Sequence, residues 1–224
     1  MVIPKLKFVV GKVEDYYQVI EYFVKEDGKE MFLPAYPDMP NKGLKEYFLK
    51  KEVKFMSVMG QIRDDFEKSW NLINDKVFLK LGELMDEKWD ESEFIARVTL
   101  LPICPRYLDH NTFDLNLSFA DITMKTICLH ELSHFLFFNK IKKLFPDVDK
   151  RDFEKPGIWW EFSEILPGVI FDSFEIFKIQ EEVIVYNRIR KSEELEVLGK
   201  LYQETKTFED FLKKGHLYLS KSRI

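Results

Sequence analysis

Cysteine is scarce in this 224-residue chain. Cys104 and Cys128 are the two present, and they form neither a close pair nor a framework. A disulfide-stapled secreted scaffold is thereby excluded, and a reduced compartment is expected. No apolar stretch reaches the roughly 18 residues that a membrane span requires. The opening "MVIPKLKFVVGKVEDYY" turns charged early and holds no small-residue cleavage site, so no signal peptide is expected. Basic charge is not in excess either. The net charge is -5, with both signs interspersed, which argues against nucleic acid as a main partner. Internal repeats and low-complexity segments are absent. These gaps leave a soluble, cytoplasmic protein with no membrane partner as the expectation, and the sequence carries no sign of its oligomeric state.

What is present suits a filled interior. The chain is 46% hydrophobic and 33% charged, with 21 Phe residues, enough to bury a sizeable core and keep a charged surface. Residues 13–26, "VEDYYQVIEYFVKE", have amphipathic helical spacing. "FLPAYPDMPNKG" (32–43) is a proline-punctuated loop. From Leu44 to about Glu87 the period is helical, and Gly60 is expected to divide it in two. "ARVTLLPIC" (96–104) predicts a strand. "TFDLNLSF" (112–119) alternates apolar and polar residues, which predicts a strand with one face exposed. Asp121 is a candidate N-cap for a helix that runs to about Phe145, before Pro146. A second apolar helix, "IWWEFSEILPGVIF", follows a polar loop. A further helix over 172–190 and two shorter helical stretches close the chain. Helices, one β region, then helices predict an α+β fold, mainly helical with a small sheet. The expected division is a mostly helical region over 1–92 and a core over 93–224 that carries the chemistry, the two possibly forming one compact domain.

The chemistry lies in "TICLHELSHFLFFN", residues 126–139. His130 and His134 are four residues apart, so on a helix they lie one above the other on one face, within about 6 Å at the root. Two imidazole nitrogens can then reach one metal ion. Glu131 is rotated by about 100° from His130. It is poorly placed as a third ligand, but it can lean over the ion and hydrogen-bond a water there. This is the H-E-x-x-H arrangement of a zinc site with the Glu as general base. Cys128, Leu129, Leu132, Ser133, Phe135 and Leu136 are uncharged, as a buried zinc helix requires. The competing account is a core helix with two hydrogen-bonded histidines and a capped glutamate. Burying three such groups with neither metal nor a dense network would cost on the order of several kcal/mol.

Over about 113–172, the stretch from the alternating strand to the second apolar helix, the chain resembles the zincin metallopeptidases. The resemblance implies a catalytic zinc held by His130, His134 and a third protein ligand, with Glu131 activating a water that attacks a peptide bond. One zincin branch takes a third His six residues after the second; position 140 is Lys and position 137 is Phe here, which excludes that branch. The gluzincin branch takes a Glu from the next helix, where "WWEFSEILPG" offers Glu161 and Glu164. After His134 the first helix continues for about 11 residues, roughly 16 Å at ~1.5 Å per residue. If the second starts near Gly157, it has returned about 10 Å by Glu164 and about 6 Å by Glu161. Glu164 is favoured, with Glu161 the alternative and His216 or an Asp further options. Gly168, one turn beyond Glu164, is expected to let the two helices pack closely beside the metal, and Pro167 is expected to distort the second helix.

The remaining candidates are weaker. His216 could stabilise an oxyanion but also fits a partly exposed surface position. His110 belongs to a turn, Cys128 and the pair Trp159 and Trp160 suit the core, and Ser133 has no base beside it. Strand 112–119 could offer an edge to an extended peptide, as the strand before the zinc helix does in zincins. The expected function is therefore a zinc-dependent metallopeptidase acting on a peptide or protein substrate. A catalytically inactive zinc-binding interaction domain and a metal-free helical scaffold are the alternatives.

Overall fold

The computed structural model describes residues 3–26, 29–119, 121–172 and 193–222; the side chains of Glu26, Asp121, Ile122 and Asp172 are outside that description. The proposed Asp121 cap and the helix expected over 172–190 lie outside the described residues, apart from the backbone at 121 and at 172. Among the described residues the chain is mainly helical with one small sheet, an α+β fold as expected. It falls into two compact units that interleave in sequence. One comprises Pro4–Asn74 and Glu93–Cys128, the other Met1–Ile3, Asp75–Ser92 and Leu129–Ile224.

The first unit holds the sheet: β1 (Lys5–Val10), β2 (Glu93–Thr99), β3 (Arg106–Tyr107) and β4 (Thr112–Asn116), in the order β1-β2-β4-β3. β1 and β4 run parallel to β2, and β3 is antiparallel to β4. β1 has no counterpart among the expected elements. Its Lys5 and Lys7 are exposed while Leu6 and Phe8 are buried, the period-2 pattern of a strand with one wet face. β2 starts and ends earlier than 96–104. After Thr99 its hydroxyl accepts the Leu101 N–H at 3.2 Å, and Pro102 follows, so the ladder stops there.

β4 corrects the expectation of a half-exposed strand, because all five of its residues are buried. The polar side chains are satisfied inside. Arg97 donates to both Asp114 oxygens, at 2.7 and 3.1 Å, and Tyr107 donates to Asp114 at 2.8 Å. Asn116 donates to the Leu101 carbonyl and accepts from the Ser118 N–H at 2.7 Å. Burial pushes the Asp114 carboxyl up in pKa, against the lowering pull of Arg97. The open edge expected for a peptide is not there at its start: β2 lies on one side and β3 covers Thr112 and Phe113 on the other.

Helices α1 (Val13–Glu26) and α2 (Leu44–Asn71) complete this unit. Val13, Tyr16 and Ile20 of α1 share a core with Phe32, Tyr36, Phe48 and Met59. Glu52, buried in α2, accepts the Val13 N–H at 2.6 Å, which satisfies a donor at the start of α1 and sets a carboxylate at its positive end. Gly60 does not divide α2, contrary to expectation. A mid-helix glycine costs only about 1 kcal/mol against alanine, and 28 residues of helix pass through it. The break comes at 72–73 instead. There the Asn74 carboxamide accepts from Leu6 N and Trp70 Nε1 and donates to the Pro4 carbonyl.

The second unit is helical. It contains α3 (Asn74–Leu84) from Asp75 on, α4 (Asp121–Leu144) from Leu129 on, α5 (Ile158–Asp172), α6 (Glu193–Glu204) and α7 (Phe208–Ser222). α5 packs against α6 and α7. The close fit has a visible cause at Gly215, where a Cβ would come within 2.4 Å of the Phe162 ring. Aromatic rings fill the interior, with Phe162 edge-on to Phe137 at 5.6 Å and to Phe211 at 5.3 Å. Tyr202 of α6 donates to the Leu84 carbonyl at 3.1 Å. Among the described residues no helix is long and apolar enough to cross a membrane.

Candidate metal centre

α4 is helical because its apolar residues recur on every side, with no proline or glycine before Pro146. A helix that is hydrophobic all round is a buried one, and residues 128–138 are buried without exception. Three of its four basic residues, Lys140, Lys142 and Lys143, lie towards the C-terminal end, where the dipole favours positive charge. Lys143 there bonds Glu87 and Asp90 at 2.9 Å each. The buried Ser133 hydroxyl donates to the His130 carbonyl at 2.7 Å, so it is spent on the backbone and is no nucleophile.

His130, Glu131 and His134 are 7%, 4% and 0% exposed. The two imidazoles meet with Nε2 atoms 2.8 Å apart and planes crossed at 86°. α5 brings a third donor. One oxygen of Glu164 lies 3.7 Å from His130 Nε2 and the other 3.6 Å from His134 Nε2. Among the described residues these three are the group that could hold a metal ion, with ligand atoms all within 4.8 Å of one another. Glu161, one turn earlier in α5 and half-buried, is not in the group.

Two nitrogens and a carboxylate oxygen are the donor types zinc takes, at about 2.0–2.2 Å; tetrahedral ligands at that radius stand roughly 3.3 Å apart. The two nitrogens, at 2.8 Å, stand closer than that, and the nearest approaches of Glu164, 3.7 and 3.6 Å by different oxygens, stand wider, so the rings would part and the carboxylate would close in to take the ion. Glu131 adds an oxygen 3.9 Å from His130 Nε2, close to the group but outside it.

In comparisons with family models, with curated proteins and with solved structures, nothing matches this chain.

Other candidates lie apart from the group. His216, in α7, is stacked on Trp159 at 4.3 Å, and burial lowers its pKa. His110 is exposed, at the end of the short 3-10 turn Leu108–His110. Cys128 is buried, its thiol 3.6 Å from the Met124 sulfur. Trp159 is core at 3% exposure, while Trp160 is only half-buried. Pro167 does not interrupt α5, which continues to Asp172. Gly168 does not serve α4 as expected. The atoms nearest to a Cβ there, the first at 2.9 Å, all belong to Leu195 of α6, so its missing side chain admits α6.

Sequence reasoning missed one residue of the site's surroundings. Phe138 lies four residues after His134, and its ring is parallel to that imidazole within 18° at 6.2 Å. The spacing i, i+4 is the signal that could have found it. Phe153, from the 3-10 turn Lys150–Phe153, packs on Phe138 at 4.7 Å.

Proposed function

We propose that the chain is a zinc-dependent metallopeptidase that hydrolyses peptide bonds in a peptide or protein substrate, working in the cytoplasm. The observation that carries this reading is the convergence of the buried His130 and His134 with the half-buried Glu164 in one group, with the Glu131 carboxylate beside it. His130 and His134 would hold the ion through imidazole nitrogens and Glu164 through a carboxylate oxygen. When bound, zinc polarises a carbonyl and lowers the pKa of a water towards ~7.

Glu131 then acts as general base and acid. It takes a proton from the attacking water as the water oxygen bonds to the acyl carbon. It delivers that proton to the amine nitrogen as the C–N bond breaks. The test is Glu131→Gln. Zinc content should be unchanged and peptide turnover should fall by about 10²-fold or more. Turnover at the original rate by the Gln variant would exclude this mechanism.

A further inference from the structure

α2 carries two apolar rows. Phe48, Met59, Phe66 and Trp70 belong to the buried one. The second is Leu49, Val53, Met56 and Gly60, spaced by four, three and four residues, about a quarter turn round the helix from the first. Leu49 is half-buried, but Val53 is 80% exposed and Met56 40%. A Cβ added at Gly60 would meet nothing within 4 Å among the described residues. Alternating steps of four and three are the spacing of a seam between two paired helices. The exposure of Val53 and Met56 leaves this seam open on a helix of 28 residues.

The charges along it point to what closes it. Continued by three and four, the row reaches Arg63 and Glu67, so it is symmetrical about position 58. Turned end for end onto a copy of itself, it sets Met56 against the notch at Gly60, Val53 against the stem of Arg63, and Leu49 against the stem of Glu67. One flank of the seam is closed, because Glu52, Met59 and Phe66 are buried in the chain's own core. The other flank carries Lys50, Ser57 and Asp64 at steps of seven. In an antiparallel pair this flank faces itself, so Lys50 meets the partner's Asp64, and Asp64 meets the partner's Lys50. A parallel copy would instead set Lys50 level with Lys50 and Asp64 level with Asp64. Both groups are within reach of such a partner. Lys50 is exposed and takes part in no ion pair among the described residues. Asp64, its side chain 64% exposed, is paired with its neighbour Arg63 at 2.7 Å, an exposed contact of little worth.

We propose that this face of α2 is an interface, and that its occupant is a second copy of the chain, docked antiparallel about a two-fold axis near position 58. A two-fold axis makes each contact twice, so the charge pairs choose the orientation and the apolar row supplies the buried surface. The apolar part is short, which gives a reversible dimer with a dissociation constant on the order of 10–100 μM. The interface stands independently of the metal centre.

The test is sedimentation equilibrium of the full chain over a range of concentrations. The parent should pass from monomer to dimer. Val53→Lys with Met56→Lys should weaken the dimer by about 100-fold or more, with the melting temperature of the dilute monomer unmoved, since both residues are exposed. Lys50→Glu and Asp64→Lys should each weaken it by about tenfold or more, because each sets like charges opposite one another twice. Mixed together, these two single variants should associate with each other about as well as the parent does with itself, since both cross pairs are then opposite in charge. A parent that stays monomeric up to ~1 mM overturns the proposal and leaves the row to a partner of different sequence. A dimer indifferent to Val53→Lys with Met56→Lys overturns it as well, and so does a mixture of Lys50→Glu and Asp64→Lys that recovers nothing.

Discussion

His130 and His134 present their Nε2 atoms to each other at 2.8 Å across one turn of α4. Only one hydrogen fits between two nitrogens at that separation, so the pair is built around a single shared centre, one proton or one ion. Glu164 faces both rings with one oxygen each, which suits a positively charged centre. Three costly groups gathered in a nearly dry place are costly unless something compensates them, and a divalent cation would compensate all three together.

Phe138 should matter to the ion although it cannot touch it. Its ring lies parallel to His134 and fixes the plane in which that imidazole offers its nitrogen. Phe138→Leu should lower zinc affinity by about tenfold, measured by competition with a chromophoric chelator. Phe137 is the control. It is equally buried but packs on Trp159 and Phe162 rather than on a histidine, so Phe137→Leu should destabilise the fold and leave zinc affinity unchanged.

Two glycines should answer substitution with opposite signs. Gly215→Ala drives a Cβ to 2.4 Å from the Phe162 ring, inside the packing of α5 on α7, and should cost about 1–3 kcal/mol. Gly60→Ala meets nothing within 4 Å in the middle of a helix, and should stabilise by up to about 1 kcal/mol. Urea unfolding of the two variants checks both.

Stability should fall as the solution is acidified, in part through His216. Burial against Trp159 lowers its pKa below the ordinary 6.5, with the charge of Asp152 opposing. The unfolded chain therefore binds this proton more readily than the folded one. The contribution is fully present above pH ~6.5 and is lost as the pH drops through the folded value. His216→Phe, which keeps a ring on Trp159, should flatten that part of the profile when melting temperature is followed against pH.

Local pattern carried much of this molecule in legible form. α1 runs over Val13–Glu26, the span its amphipathic period marks, and α4 stops at Leu144 just before Pro146. Rise per residue favours Glu164 over Glu161, and α5 does bring Glu164 to the two imidazoles. Contacts distant in sequence were not legible. β1 is a strand because it pairs with β2, more than eighty residues later. Asp114 and Asn116 look like solvent-facing residues until Arg97, Tyr107 and Leu101 supply their partners. Gly168 suggested a close approach to α4, but which helix fills a small-residue notch is decided in three dimensions, and here it is α6. Gly60 seemed a divider because glycine is the weakest non-proline helix former, yet its cost is small against the packing of a 28-residue helix.

The most direct measurement is metal content by mass spectrometry on the purified chain, alongside His134→Ala, Glu164→Ala and Glu161→Ala, each after reconstitution with zinc. The account predicts one zinc per chain in the parent and in Glu161→Ala, and loss of zinc in His134→Ala and Glu164→Ala. No zinc in the parent after reconstitution would contradict it, and the His130–His134–Glu164 group would then be a polar network holding α4 against α5.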